Sequence, residues 1–232
     1  MTDDGSMTRT FETVLFDLDG TLVDSASGIL GSLHAAFDEL GLEHERAALG
    51  RHLLGPPLHA TLPRIIEDPE TAAAAVSTYR RHYGETGVYD CAPYPGIDAL
   101  LAALRDAGVR VALATSKADV YAERIVAHHG WEDHFVTVVG DTLDAGRPTK
   151  AAVVGEALRR LGSPDPAGVV MVGDRSNDVA GSRAHGVGCL GVAWGYAEPG
   201  ELVEAGALTV LESVADLAAA LSVAAERTAP GR

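Results

Sequence analysis

The sequence predicts an α/β protein, a parallel sheet flanked by helices and interrupted after its first strand by an all-helical insert. Three observations carry this. From residue 93 onward, short apolar runs alternate with helical patterns of about a dozen residues, the signature of βαβ units and hence of a parallel sheet. The stretch 25–92 shows helical periodicity and no convincing strand. Acids, hydroxyls and the only two lysines, Lys117 and Lys150, stand where the strands end or a helix begins, the edge where such sheets place their ligands.

The first strand is the apolar run Val14-Leu15-Phe16, which ends abruptly in Asp17-Leu18-Asp19-Gly20-Thr21. Ile29, Leu30, Leu33, Phe37 and Leu40 then recur at helical spacing, and Gly41 closes that helix. A second helix is expected over 43–49. Gly55-Pro56-Pro57 must be a rigid loop or a break between helices, because neither proline can donate to a helix ladder. Asp68-Pro69-Glu70 starts the next helix, with an acid at the N-cap and proline at the first helical position, and its Ala-rich body runs to about Tyr83. Pro93-Tyr94-Pro95-Gly96 punctuates the return to the sheet. A helix carrying Ile97, Leu100, Leu101 and Leu104 follows, then a strand over 110–115, a helix over 118–129 and a strand over 135–139. Helix 149–161, strand 168–172, a helix over 177–184, a strand over 189–193, a short strand over 208–210 and a helix over 212–226 complete the order.

Composition bounds the function. A chain of 232 residues with 47% hydrophobic and 22% charged residues can bury a sizeable core as one large domain or a core with an insert. A net charge of -15 argues against nucleic-acid and anionic-membrane partners. The opening residues are polar and acidic, unlike a signal peptide, and no apolar run approaches membrane-spanning length. Cys91 and Cys189 lack metal-type spacing and read as free, buried thiols of a cytoplasmic protein. The residues after 228 read as a frayed end.

The strand exits carry the chemistry. The first ends in Asp17 and Asp19, two anions one residue apart that need a compensating positive charge. The second ends in Thr115-Ser116-Lys117, the fourth in Gly173-Asp174-Arg175-Ser176-Asn177-Asp178, and Arg147-Pro148-Thr149-Lys150 opens a helix between them. Each alone has a plain structural reading, a turn or a helix cap. In this order, at these places, they form a constellation. With 18 Lys plus Arg in the chain, placing both lysines here also points to a need for compact charge.

These residues resemble the four motifs of the haloacid dehalogenase superfamily, and the resemblance covers nearly the whole chain. Gly55-Pro56-Pro57-Leu58, Tyr94-Pro95-Gly96, Ala114-Thr115-Ser116-Lys117 and Gly173-Asp174-Arg175 look like its phosphoglycolate phosphatase and 5'-nucleotidase branch. The resemblance implies a Rossmann-like core over 1–24 and 93–232, with a helical cap over 25–92. It implies a Mg²⁺-dependent phosphomonoesterase of a small phosphorylated metabolite, a phosphoglycolate-like acid or a nucleoside monophosphate, working as a monomer or homodimer. Asp17 would be the nucleophile and a metal ligand, Asp19 the acid and base, lending its backbone carbonyl to the metal, and Asp174 the third protein ligand. Thr115 would bind the phosphoryl group with Ser116 beside it, and Lys150 would hold the charge cluster together. Asp178 would orient a metal-bound water, with direct ligation as the alternative. Lys117 either shapes the phosphate loop or caps a helix.

The insert narrows the chemistry further. It has no lysine, so phosphonate cleavage through a cap Schiff base does not fit. A mutase of this type needs a histidine where Ile29 stands, and His34 reads as a packed helix residue. Arg51 and His52, just before the rigid loop, are the expected specificity groups, whereas Arg80 and Arg81 read as a solvated helix face. The alternatives on this fold are a phosphoryl-transferring mutase and a non-catalytic phosphometabolite binder.

Overall fold

A computed structural model describes residues 11–43 and 48–222. Six parallel strands form the main sheet: β1 (Thr13–Phe16), β4 (Arg110–Ala118), β5 (Thr137–Asp141), β6 (Val169–Gly173), β7 (Gly188–Val192) and β8 (Thr209–Leu211), in the order β5-β4-β1-β6-β7-β8. The sheet is apolar on both faces, as parallel sheets covered by helices must be. Val14 and Phe16 of β1, Val111 and Leu113 of β4, and Val170 and Val172 of β6 enter one core cluster. Their alternating neighbours Leu15, Ala112, Ala114, Val169 and Met171 enter the other. Successive side chains on a strand point to opposite faces, so the same run fills both cores.

Helices α1 (Ala26–Leu40), α2 (Leu58–Thr61) and α3 (Pro69–Glu85) lie between β1 and the rest of the sheet in sequence. Gly41 ends α1 in the left-handed conformation, and the Asp68 side chain caps α3 by accepting from Thr71 N–H at 2.8 Å. The remaining helices are α4 (Ile97–Asp106), α5 (Asp119–His128), α6 (Lys150–Arg160), α7 (Ser176–Arg183), α8 (Glu201–Ala205) and α9 (Val214–Ala220).

Several elements differ from the sequence reading. The helical stretch is bracketed by two short strands, β2 (Val23–Asp24) and β3 (Ala92–Pro93), which pair antiparallel. Two residues per strand are too few for a periodic signal, so no pattern announces them. Strand β4 runs to Ala118 rather than stopping at Thr115, because its last residue pairs with Asp141 across an irregularity in the ladder. Strand β5 begins two residues later than the apolar run indicates. Helices α2 and α8 were not expected from the sequence. The expected helix over 43–49 falls largely on residues 44–47, outside the described residues, as do residues 1–10 and those after 222. Cys189 is buried and free as expected, and Cys91 is free but only half-buried. No described helix is long and apolar enough to cross a membrane.

Candidate active site

Register places the acids. Phe16 sits opposite Leu113 of β4 and Val172 of β6, so the residues just beyond these three positions lie side by side. Asp17, Thr115 and Asp174 therefore emerge at one edge, with exposures of 3%, 1% and 0%. Gly20 turns the chain away in a positive-φ conformation at +79°, where a Cβ would lie 2.1 Å from the Asp174 carboxylate. Thr21 donates to Asp174 at 3.2 Å, and the Tyr196 backbone N–H donates to its other oxygen at 2.7 Å.

Lys150, the first residue of α6, enters from the side. Its ammonium lies 2.9 Å from Asp17 and 2.7 Å from Asp178, and donates to the Ala114 carbonyl at 3.1 Å. Gly181 of α7 makes room for it, since a Cβ there would be 2.6 Å from Lys150 Cγ. Burial alone pulls the Lys150 ammonium down; the charges of Asp17 and Asp178 more than reverse this and hold it above the usual lysine range. Burial pushes the Asp178 carboxyl up to about 6 against the pull of Lys150. Burial, aided by the charges of Asp178 and Asp17, pushes Asp174 well above the usual carboxylate range.

Asp17, Asp174 and Asp178 each offer an oxygen within 4.8 Å of the others. Three buried carboxylates against one ammonium leave a surplus of negative charge, and the donors are all oxygen. That set fits a hard divalent cation such as Mg²⁺. Of the two roles expected for Asp178, orienting a water or ligating directly, its place in the cluster suits the direct one. The Asp19 side chain lies outside the cluster, as suits a residue expected to offer the metal only its backbone carbonyl. It pairs with Lys117 at 3.0 Å and accepts a short hydrogen bond from Ser25.

Lys117 is the residue that sequence reasoning undervalued. Its side chain is buried, and the ammonium donates to the Tyr83 hydroxyl at 2.6 Å and lies 4.4 Å from the centre of that ring. Burial pulls its ammonium down, but the charge and hydrogen bond of Asp19 leave it raised overall. Its rarity in the chain was the available signal. Tyr196 was missed as well: it accepts from the Ser25 N–H at 2.8 Å and donates to Asp24 at 2.9 Å, and nothing local in the sequence marks it.

Thr115 accepts from the Lys117 N–H at 3.3 Å, and Ser116 accepts from Asn177 at 3.5 Å. Both lie beside the cluster. Ser116 and Lys117 line a cavity of about 90 Å³ together with Asp19, Ile29, Tyr79 and Arg80. Arg51 does not line that cavity; its guanidinium rests 5.2 Å over the Tyr196 ring. Arg81 and His82 share Glu39 on an outer face, whereas Arg80 turns inward, against the expectation of a solvated pair. His34 is half-buried on α1, and Ile29 stands in the cavity where a mutase would need its histidine.

A Rossmann-like sheet with this acidic cluster at its strand ends defines a class, and the comparisons agree with it. Residues 14–192 match the haloacid dehalogenase-like hydrolases, and the chain belongs to that family. It is 45% identical over 185 residues to the tyrosine-protein kinase PtkA of Mycobacterium tuberculosis, a match covering 80% of this chain and 63% of that protein. The chain thus spans less than two thirds of that relative's length. It is 34% identical over 226 residues to a plasmid-encoded phosphoglycolate phosphatase of Cupriavidus necator, covering 94% and 95% of the two chains. The crystal structure of a predicted phosphatase from Clostridium acetobutylicum superposes with a TM-score of 0.83 at 34% identity, over 90% of this chain and 96% of that one.

Proposed function

We propose that the protein is a Mg²⁺-dependent phosphomonoesterase of a small phosphorylated metabolite, acting through an aspartyl-phosphate on Asp17. The observation that carries the reading is the Lys150 ammonium bound to Asp17 at 2.9 Å within a set of three buried carboxylates. Mg²⁺, held by the Asp17 and Asp174 carboxylates and the Asp19 main-chain carbonyl, would neutralise charge on the transferring group. Asp17 attacks phosphorus while the bond to the leaving oxygen breaks, and Asp19 gives that oxygen its proton. Asp19 then takes a proton from the water that cleaves the acyl phosphate, and Asp17 is regenerated as phosphate leaves. Thr115 donates to a phosphoryl oxygen. Lys150 holds the nucleophile in place at 2.9 Å, and Asp178 fixes the Lys150 ammonium at 2.7 Å.

The helical stretch 25–92 serves as a cap over these strand ends. Support comes from the cavity walls, where Ile29, Tyr79 and Arg80 face Asp19 and Ser116, and from Arg175, which donates to the Leu54 carbonyl. A half-enclosed cavity of about 90 Å³ suits a metabolite better than a protein substrate. The identity with a protein named a tyrosine kinase favours one second reading, in which the phosphoryl group passes to an acceptor hydroxyl instead of water.

A screen of phosphorylated metabolites with Mg²⁺, run beside Asp17→Asn, tests both. Phosphate release that depends on Asp17 supports the hydrolase. Phosphate release that persists in Asp17→Asn removes the nucleophile assignment, and label appearing on an acceptor instead of in phosphate supports the second reading.

A further inference from the structure

Ser25 stands directly before α1, where a serine ordinarily caps the helix by accepting a backbone N–H from its first turn. Here it caps nothing, and its hydroxyl instead donates to Asp19 Oδ1. The N–H of Ala26 at the start of α1 is met by Asp24 Oδ1, at 3.1 Å. Ser25 is fully buried, and its own N–H donates to the Tyr196 hydroxyl at 2.8 Å. That hydroxyl donates in turn to Asp24 at 2.9 Å.

Tyr196 is itself held firmly. It follows β7, is 5% exposed, and its backbone N–H donates to Asp174 at 2.7 Å. Its ring packs against Gly20, where a Cβ would come within 2.8 Å of Tyr196 Cδ2. The main chain of this residue thus sits on the acidic cluster, while its hydroxyl sits on the segment that carries Ser25. Asp19 is bound at both oxygens, Oδ1 by Ser25 and Oδ2 by Lys117 at 3.0 Å. Each carboxylate oxygen keeps a second lone pair, so these bonds orient the group and still leave a place for a proton.

We propose that Tyr196 is a positioning residue for proton transfer, fixing the Asp19 carboxylate through the backbone and hydroxyl of Ser25. This rests on the phosphomonoesterase reading above, in which Asp19 protonates the leaving oxygen. Removing only the Tyr196 hydroxyl leaves the buried Ser25 N–H without its partner, and the segment must shift to satisfy it. The Ser25 hydroxyl moves with that segment, and Asp19 is then free to turn about its remaining anchor, Lys117. Such a turn slows the reaction where a proton must reach a poor leaving group. It matters far less where the leaving group departs as a stable anion.

Two esters separate this role from a merely structural one: ethyl phosphate, whose leaving alkoxide needs a proton, and p-nitrophenyl phosphate, whose phenolate does not. With Mg²⁺, Tyr196→Phe should lower kcat/KM for ethyl phosphate about tenfold more than for p-nitrophenyl phosphate. Ser25→Ala should show the same selectivity, and Ser25→Thr, which keeps the hydroxyl, should lose far less. The double variant Tyr196→Phe, Ser25→Ala should stay within about twofold of the worse single one, because both act along one path. In the metal-free protein, the Ser25 amide should exchange its hydrogen at least about tenfold faster in Tyr196→Phe. Equal loss for the two esters, losses that multiply in the double variant, or unchanged exchange at Ser25 overturns the proposal. A parent protein that hydrolyses neither ester overturns the esterase reading, and the proposal with it.

Discussion

Lys117 reaches Asp19 at 3.0 Å inside the protein, with side-chain exposures of only 6% and 11%. The residue assigned to move protons is thus held by a cation from a neighbouring strand exit and by the Ser25 hydroxyl. Such a pair fixes the carboxylate in one orientation. Replacing Lys117 with Met removes that anchor, so kcat should fall by about tenfold while KM changes little. A kcat within about twofold of the parent's would show that the pair does not position Asp19.

Lys150 has a larger role, because it compensates two carboxylates at once. Lys150→Met leaves Asp17 and Asp178 facing each other without a cation, and breaking a buried pair this way costs about 3–5 kcal/mol. Thermal unfolding should drop by about 10 °C for a domain of this size, with turnover lost. Turnover within tenfold of the parent would remove Lys150 from the site.

The acidic cluster also sets a pH dependence in the metal-free protein. Burial raises the folded-state values of Asp174 and Asp178, the latter to about 6 against an ordinary 3.8. A raised carboxyl contributes stability that is complete below about pH 4 and is lost as pH rises through the folded value near 6. With chelator present, the contribution of this pair should therefore fall across that window. Mg²⁺ at a hundred times its Kd and neutral pH should then restore about 2.7 kcal/mol, read as a rise of roughly 5–10 °C in Tm. Replacing Asp174 with Asn should flatten the pH trend and abolish the Mg²⁺ response. A Mg²⁺ response that survives in Asp174→Asn would place the ion elsewhere.

Arg175, just before α7, donates to the Leu54 carbonyl of the helical stretch and is held by Glu201 at 2.9 Å. Gly55 sits against it at a φ of +106°, and a Cβ there would lie 2.9 Å from Arg175 Cγ. Gly55→Ala strains both the backbone and this contact. KM should rise about fivefold to tenfold as the loop loosens, with a smaller change in kcat. An unchanged KM would mean that the loop position does not matter to substrate binding.

The sheet was legible because each central strand carries a buried apolar run, Val14 to Phe16, Val111 to Ala114 and Val169 to Val172, with polar residues close behind it. Asp17, Thr115 and Asp174 could be placed at one edge from that pattern, and register brings them there. The helix ends at Gly41 and Asp68 were legible for local reasons, a left-handed cap and an N-cap carboxylate. What long-range packing decides was not legible. The pairing of Val23–Asp24 with Ala92–Pro93 joins segments far apart in sequence. The partners Lys117–Asp19 and Tyr196–Asp24 depend on the same closure. Arg80 and Arg81 are adjacent in the sequence, yet one faces the cavity and the other Glu39, because helical geometry turns successive residues by about 100°.

The central claim is that Asp17 carries the phosphoryl group. Acid quench of the Mg²⁺-loaded protein during turnover, followed by peptide mass spectrometry, tests it most directly. The account predicts a phosphoryl adduct on the peptide containing Asp17, absent from Asp17→Asn, whose kcat falls by at least about a thousandfold. Parental turnover in Asp17→Asn, or an adduct mapped to another residue, would contradict it.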